Sequence, residues 1–147
     1  MTKKLVLVAI ALAAVYFGGV ETGFIPRQPD AATTTAGADE VLAAAFENHR
    51  SNIQVRGSGH VTRVLPDDNQ GSRHQRFIVR LSSGQTLLVA HNIDLANRVT
   101  PLTAGDSVEF NGEYEWSAQG GVIHWTHRDP QRNHVDGWIK HSGRTYQ

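Results

Sequence analysis

From residue 53 onward, apolar and polar side chains alternate along the chain, and this period of two restricts the possible folds most. The clearest case is residues 107–116, where Val108 and Phe110 fall on one face and Glu109 on the other. Successive side chains of a β-strand point to opposite faces, so the alternation is typical of a strand with one buried face. The same period predicts strands at residues 53–64, 74–81, 86–92 and 122–127, with a short last strand at 138–141 or 145–147.

Five strands in this order predict a small closed sheet. Gly57-Ser58-Gly59 in the first strand indicates a bulge or sharp bend, and residues 94–99 predict one or two helical turns between the third and fourth strands. We therefore expect a mainly β fold, a five-stranded Greek-key barrel of the oligonucleotide/oligosaccharide-binding type. The alternative is a β-sandwich or another barrel topology, because strand count constrains topology weakly. One N-terminal helix, at residues 39–51, is expected to pack its Leu42 and Phe46 stripe on this sheet.

The N-terminus predicts export. Lys3 and Lys4 precede an uncharged, mostly apolar run at residues 5–20, the pattern of a secretory signal peptide or a short membrane anchor. A helix of that length spans about 24 Å, less than the ~30 Å of a bilayer core, which favours the signal peptide. An uncleaved anchor is the alternative, because the triplet Ala36-Gly37-Ala38 lies far beyond the end of the apolar run. The expected regions are residues 1–20 as signal or anchor, 21–37 as a flexible Pro- and Thr-rich linker, and 38–147 as the domain, at the periplasmic or extracellular face of a bacterial membrane.

The composition leaves histidine and carboxylate as the side chains that can carry site chemistry. Cysteine is absent and eight histidines are present, so thiolate metal sites, disulfides and cysteine nucleophiles are excluded. The formal net charge is zero. A global field that attracts a polyanion is therefore also excluded.

The most distinctive motif is His124-Trp125-Thr126-His127, which lies in a stretch rich in histidine and tryptophan. With its flanks Gly120-Gly121-Val122-Ile123 and Arg128-Asp129-Pro130, it resembles a bacterial family, the domain of unknown function numbered 3465. Residues 71–77 and 91–96 resemble segments of the same family. The resemblance covers residues 53–147 and implies a small exported bacterial protein, without implying an activity.

The histidines support a metal-site hypothesis. Neutral imidazole binds zinc, copper or nickel, and the preferred ligand set is His91, His124 and His127, with Asp129 or Glu115 as a carboxylate. On a regular strand His124 and His127 point to opposite faces, so they share a metal only if the strand ends or bulges between them. The alternative is that both histidines are hydrogen-bonding residues that fix the following loop.

The predominance of arginine over lysine supports an anionic ligand. Guanidinium binds phosphate or carboxylate through two parallel hydrogen bonds. Phe77 and Val79 are expected in the core, which places Arg76 and Arg80 on the outer face of the second strand. An exposed tryptophan such as Trp125 would stack on a base. The alternative is that the arginines reflect genome composition, since a GC-rich genome favours arginine over lysine. Nine carboxylates beyond residue 48 also nearly cancel the positive charge of that segment.

We expect the polar residues of these strands to converge in one site. The candidate ligand-binding residues are His74, Arg76, Arg80, His91, His124, Trp125, His127, Arg128 and Asp129. The first hypothesis is an exported module that binds an anionic polymer, either single-stranded nucleic acid or a cell-envelope glycan. The alternatives are a metal-dependent phosphodiester hydrolase with zinc as candidate cofactor and a structural envelope protein. No nucleophile elbow or phosphate-cradling glycine loop identifies a catalytic residue.

Overall fold

The structure, a computed structural model, describes residues 35–147, and in this part the fold is mainly β with one N-terminal helix, as predicted. The elements are α1 (Thr35–Glu47), β1 (Ile53–Asp68), β2 (His74–Arg80), β3 (Thr86–Asn92), β4 (Ser107–Glu115), β5 (Val122–His124), β6 (Trp138–His141) and β7 (Arg144–Tyr146). The predicted signal peptide or anchor at 1–20 and most of the linker at 21–37 lie outside the described residues. No helix within residues 35–147 has the length and apolarity needed to cross a bilayer.

All seven strands belong to one sheet, in the order β1-β2-β3-β5-β4-β6-β7, and a further pairing of β1 with β4 closes five of them into a ring. The length of β1 makes this closure possible, because residues 53–60 pair with β4 and residues 60–68 pair with β2. The β3 and β5 strands pair in parallel, and all other neighbours are antiparallel. The last two strands form a hairpin that extends the ring from β4.

The interior of the ring is apolar, and the alternation seen in the sequence sorts its side chains. The buried residues of β2, β3 and β4 include Phe77, Val79, Leu87, Val89, Phe110 and Tyr114. The core faces predicted for the second and fourth strands are therefore confirmed. In β1 the register shifts lie between Val61 and Arg63 and between Leu65 and Asp68, after the Gly-Ser-Gly segment rather than in it. Gly59 instead allows a close approach, since a Cβ there would lie 2.5 Å from the carbonyl oxygen of Arg80.

The helix begins and ends four residues earlier than predicted. Its end is fixed by His49, which adopts a left-handed conformation with φ 50°. The His49 N–H donates to the carbonyl oxygen of Phe46 (3.3 Å) and the Arg50 N–H to that of Ala45 (2.9 Å), a pattern that closes a helix C-terminus. The helix buries Leu42 against the sheet, as predicted, whereas Phe46 is only half-buried.

One helical turn precedes an irregular segment where the sequence predicted one or two such turns at residues 94–99: the Ala96 N–H donates to the carbonyl oxygen of Asn92 (3.1 Å), and residues 97–99 have no regular structure. The Asp94 carboxylate accepts hydrogen bonds from the backbone N–H and the guanidinium of Arg73, both at 2.8 Å. The side chain of Gln75 bonds both the N–H (2.9 Å) and the carbonyl oxygen (2.8 Å) of Val99. Bonds to β2 and its preceding loop thus replace most of those that a helix would make within the segment.

Candidate functional site

Two glutamates and one histidine meet on the outer face of the β4 and β5 pair. Glu113 and Glu115 are two residues apart on β4 and share a face, and His124 of β5 is the register partner of Glu113. The Nε2 atom of His124 lies 3.7 Å from Oε1 of Glu115, and one ligand atom from each of the three residues lies within 4.8 Å of the others. In the part of the chain that the structure describes, no other three His, Asp or Glu side chains lie so close together. We call these three residues the carboxylate–histidine cluster.

The free nitrogen of His124 is the least expected feature of this cluster. Its Nε2 atom is buried and has no hydrogen-bond partner among the described residues. Buried polar atoms are nearly always paired, because an unpaired one has lost its bonds to water without replacement. The Glu115 carboxylate lies 3.7 Å from this atom, and the ligand atom of Glu113 lies within 4.8 Å of the other two.

His134 holds one of the two carboxylates in place. Its Nε2–H donates to Oε2 of Glu113, its Nδ1–H donates to the carbonyl oxygen of Val135 (2.8 Å), and its ring stacks on Trp125 with centroids 4.1 Å apart. Burial alone lowers the pKa of His134, but the hydrogen bonds to Glu113 and to the carbonyl oxygen of Val135, together with the charges of Glu113 and Asp129, outweigh it and raise the pKa above its ordinary value. Both ring nitrogens of His134 face acceptors, a carbonyl oxygen and a carboxylate, so the arrangement suits a charged ring paired with Glu113.

The β5 strand ends at His124 because Trp125 adopts a left-handed backbone conformation with φ 55°. Bulky side chains rarely adopt this conformation, which is strained and reverses the local course of the chain. The predicted fifth strand at 122–127 is therefore too long. His124 and His127 do not lie on one regular strand, so the alternation that separated them does not apply.

Beyond Trp125 the chain turns inward and contacts His91. The buried Thr126 donates its hydroxyl to Nδ1 of His91 (2.8 Å), and Nε2–H of His91 donates to the carbonyl oxygen of Asn97 (3.0 Å). Burial lowers the pKa of His91 to about 4, so the ring is neutral at physiological pH. The buried His127 donates Nδ1–H to the carbonyl oxygen of Arg128 (2.7 Å).

Of the three predicted metal ligands, the structure brings only His124 to the carboxylate–histidine cluster. His91 belongs to the core face of β3 and uses both ring nitrogens in protein hydrogen bonds, which leaves no lone pair for a metal. His127 is outside the cluster too. Glu115, the alternative to Asp129 in the sequence hypothesis, does lie in the cluster.

Asp129 closes the loop that follows the motif. Its carboxylate accepts hydrogen bonds from the backbone N–H groups of Gln131 (2.9 Å), Asn133 (2.8 Å) and His134 (2.9 Å). These bonds, that from Gln131 above all, hold the pKa of Asp129 below its ordinary value. Because they fix the backbone of His134, Asp129 positions the ring that contacts Glu113.

The predicted residues of β2 lie near its outer face but do not form a common site with the motif. His74 is bonded through Nδ1 to the carbonyl oxygen of Ser72 (2.8 Å), and Nε of Arg76 donates to that of Pro66 (3.0 Å). Arg80 is exposed at the end of β2, and Arg128 is exposed after the motif. Only Arg80 among them lines the groove described next.

An open groove of about 820 Å³ lies where β1, the end of β2, the start of β4 and the β6–β7 hairpin meet. Its cationic side chains are those of Arg80, Lys140 and Arg144, and no ion pair within residues 35–147 involves them. Among the described residues that line it, Glu109 is the one carboxylate, and hydroxyl groups such as those of Ser58 and Ser107 contribute to the lining. We call this the basic groove.

Trp138 lies between the basic groove and the carboxylate–histidine cluster. The guanidinium carbon of Arg56 is 5.1 Å and Nζ of Lys140 is 4.6 Å from its ring centroid. Arg56 and Trp138 are both register partners of Asn111, which lies midway between Glu109 and Glu113 on β4. The basic groove, the ring of Trp138 and the carboxylate–histidine cluster therefore lie in this order along the outer face of β4.

The sequence hypotheses did not assign Glu113, Lys140 or Arg144 to a site, nor His134, which contacts Glu113. Glu113 was recognisable as a neighbour of Glu115 on one strand face, since the alternation of β4 places both outside. Lys140 and Arg144 carry no such signal, because only the pairing of β6 with β4 brings their hairpin to β1. His134 lies in an irregular loop whose course depends on Asp129.

Comparison of the chain with known protein families finds the same family that the His124–His127 motif resembles. The family described as "Protein of unknown function (DUF3465)" matches residues 29–147, which include every residue of the cluster and of the groove. No curated protein matches the chain. Since the match extends over most of its length, this chain belongs to the DUF3465 family.

Proposed function

We propose that this domain is an exported binding module for an anionic polymer, and the observation that carries the proposal is the basic groove. Arg80, Lys140 and Arg144 come from β2, β6 and β7 and oppose a single lining carboxylate, that of Glu109. Guanidinium groups bind phosphate and carboxylate oxygens in a forked geometry, and serine and threonine hydroxyls donate further hydrogen bonds. A groove of this composition favours anionic groups.

The distribution of charge favours a polymer over a single small anion. Arg56 and Lys140 extend the cationic surface along the outer face of β4, from the groove to the ring of Trp138. Adjacent outward positions on a strand are about 7 Å apart. A chain with repeated charges would therefore contact more of these cations than an isolated anion does.

The charged groups of the polymer, rather than its bases, are the expected contacts. Trp138 already has Arg56 and Lys140 near its ring, and the ring of Trp125 is stacked on His134. These neighbours occupy ring surface that a stacked base would otherwise use. This supports recognition of phosphate or carboxylate groups, which both single-stranded nucleic acid and an anionic cell-envelope glycan carry.

The topology supports a fold of the oligonucleotide/oligosaccharide-binding type. The ring order β1-β2-β3-β5-β4-β1 and the parallel pairing of β3 with β5 are compatible with a five-stranded Greek-key barrel, a fold that binds such polymers. Lys3, Lys4 and the apolar run at 5–20 support export to the periplasmic or extracellular face of a bacterial membrane. Fold and export alone do not imply a ligand, so the proposal depends on the groove.

The test is a titration of the full-length protein against fluorescein-labelled oligo(dT) and against a labelled anionic glycan, followed by fluorescence anisotropy. We expect at least one polymer to bind, and Arg80→Ala/Arg144→Ala to weaken binding at least tenfold. Arg50→Ala is the matched control for charge, because Arg50 is exposed in the loop between α1 and β1. Equal binding by the double variant and the control would contradict the proposal, as would absence of binding to both polymers. Cleavage of the oligonucleotide would instead favour the hydrolase alternative.

A further inference from the structure

We infer that Glu113, Glu115 and His124 form a binding site for a divalent transition-metal ion, with Zn²⁺ as the best match. The three side chains come from adjacent strands of the ring, so their backbone positions are fixed by β-pairing and not by a loop. They offer two carboxylate oxygens and one imidazole nitrogen within 4.8 Å of one another. This inference goes beyond the proposed polymer binding and does not depend on it.

The buried Nε2 atom of His124 is the observation that distinguishes this group from an ordinary acidic surface. The nitrogen has no hydrogen-bond partner among the described residues, and Glu115 Oε1 lies 3.7 Å away, beyond hydrogen-bonding distance. A cation bound between them accepts the lone pair of the nitrogen and neutralises the carboxylates. One ligand thus satisfies a buried polar atom and relieves repulsion between two like charges on the same strand face.

The donor set selects the class of metal. Mg²⁺ and Ca²⁺ prefer oxygen ligands alone, whereas one imidazole with two carboxylates suits Zn²⁺ and its neighbours in the first transition series. Tetrahedral ligands at 2.0–2.1 Å from zinc are about 3.3 Å apart. The His124 Nε2 and Glu115 Oε1 atoms are 3.7 Å apart and all three ligand atoms lie within 4.8 Å of one another, so side-chain rotations must draw them closer around the ion. Three protein ligands leave the fourth position to water.

The residues around the cluster orient these ligands as partners of metal ligands commonly do. His134 bonds Oε2 of Glu113 and so restrains that carboxylate, and stacking on Trp125 fixes the plane of His134. On the opposite side, Gly112 lets the end of β5 approach β4, because a Cβ there would lie 2.5 Å from the carbonyl oxygen of His124. Both contacts hold the cluster in one arrangement.

The experiment is isothermal titration of the full-length, untagged protein with ZnCl₂, after dialysis against a chelator and then against metal-free buffer. We expect one tight equivalent of Zn²⁺ and a higher Tm in its presence. Glu115→Gln keeps the shape of an exposed side chain and should fold, and we expect it to weaken zinc binding at least tenfold; His124→Ala should do the same. Two matched controls, Glu109→Gln on the same face of β4 and the exposed His60→Ala, should leave the tight equivalent unchanged.

Two results would overturn the inference. One is the absence of a tight equivalent in the wild type, and the other is equal zinc affinity in Glu115→Gln and the controls, which would assign binding to scattered surface histidines. Failure of His124→Ala to fold would leave Glu115→Gln to decide. Because these measurements contain no polymer, their result is separate from that of the polymer titrations.

Discussion

Glu113 of β4 and His124 of β5 are register partners, and the backbone of β4 next to Glu113 is what allows them to face each other. A Cβ on Gly112 would lie 2.5 Å from the carbonyl oxygen of His124 and 2.9 Å from Cγ2 of Ile123. Neither atom lies at the end of a flexible side chain. The close contact between these strands therefore depends on the missing side chain at position 112.

Gly112→Ala should lower the free energy of unfolding by about 3 kcal/mol, the upper end of the usual range for overpacking, since the clash is with backbone. Urea denaturation measures this value. Gly143→Ala is the control, because its Cβ would meet nothing within 4 Å and only its φ of 77° is unfavourable. In Gly143→Ala the free energy of unfolding should fall by about 1 kcal/mol. Equal losses in the two variants would contradict the packing that we describe.

Trp125→Gly should be more stable than Trp125→Ala, which reverses the usual order of these residues. Both variants lose the stack on His134, but at φ 55° alanine meets the left-handed penalty and glycine does not. The expected difference is about 1 kcal/mol in the free energy of unfolding. If alanine is the more stable residue here, β5 does not end in a left-handed turn.

His91 should make the fold sensitive to acid. Its pKa is about 4 in the folded protein and 6.5 in the unfolded chain, so between these values the unfolded chain binds more protons. Stability present at pH 7 is therefore lost as the pH falls from 6.5 to 4, by about 3 kcal/mol. His91→Gln, which cannot titrate, should lack this component when unfolding is followed by urea at several pH values. Parallel pH profiles for the two proteins would show that His91 is not buried as a neutral ring.

Binding of oligo(dT) should depend on salt as expected for three cations. Release of counterions gives a slope of about −0.7 per neutralised phosphate in log K against log salt for single strands, hence about −2 for the basic groove. Arg80→Ala should reduce the slope by about 0.7. Anisotropy titrations at several NaCl concentrations measure it. A slope near zero, or one unchanged in the variant, would exclude this groove as the phosphate contact.

The regular strands were predictable from the sequence because each buries one face. In β4 the alternation of Val108, Phe110 and Tyr114 with glutamates places every core and outer residue correctly. In β2, alternation likewise places Phe77 and Val79 in the core and Arg80 outside. The local sequence pattern is sufficient to predict these strands, because their side chains are alternately buried and more exposed with the strand period of two.

The site was less predictable, because it depends on pairing between distant strands and on one unusual backbone conformation. His124 and Glu115 were among the candidates, but their contact with Glu113 follows from the register of β5 on β4. The turn at Trp125 has no sequence signal, since a left-handed tryptophan is rare. The basic groove required the β6–β7 hairpin, whose position is set by the β4–β6 pairing.

The most direct test of the proposed function is chemical-shift mapping of backbone amides in the ¹⁵N-labelled full-length protein during titration with oligo(dT) or the anionic glycan, whichever binds. We expect the largest changes at residues that line the basic groove, namely His60, Glu109, Lys140, Arg144 and Thr145. Changes confined to His74 and Arg76 on β2, or spread evenly over the surface, would contradict it.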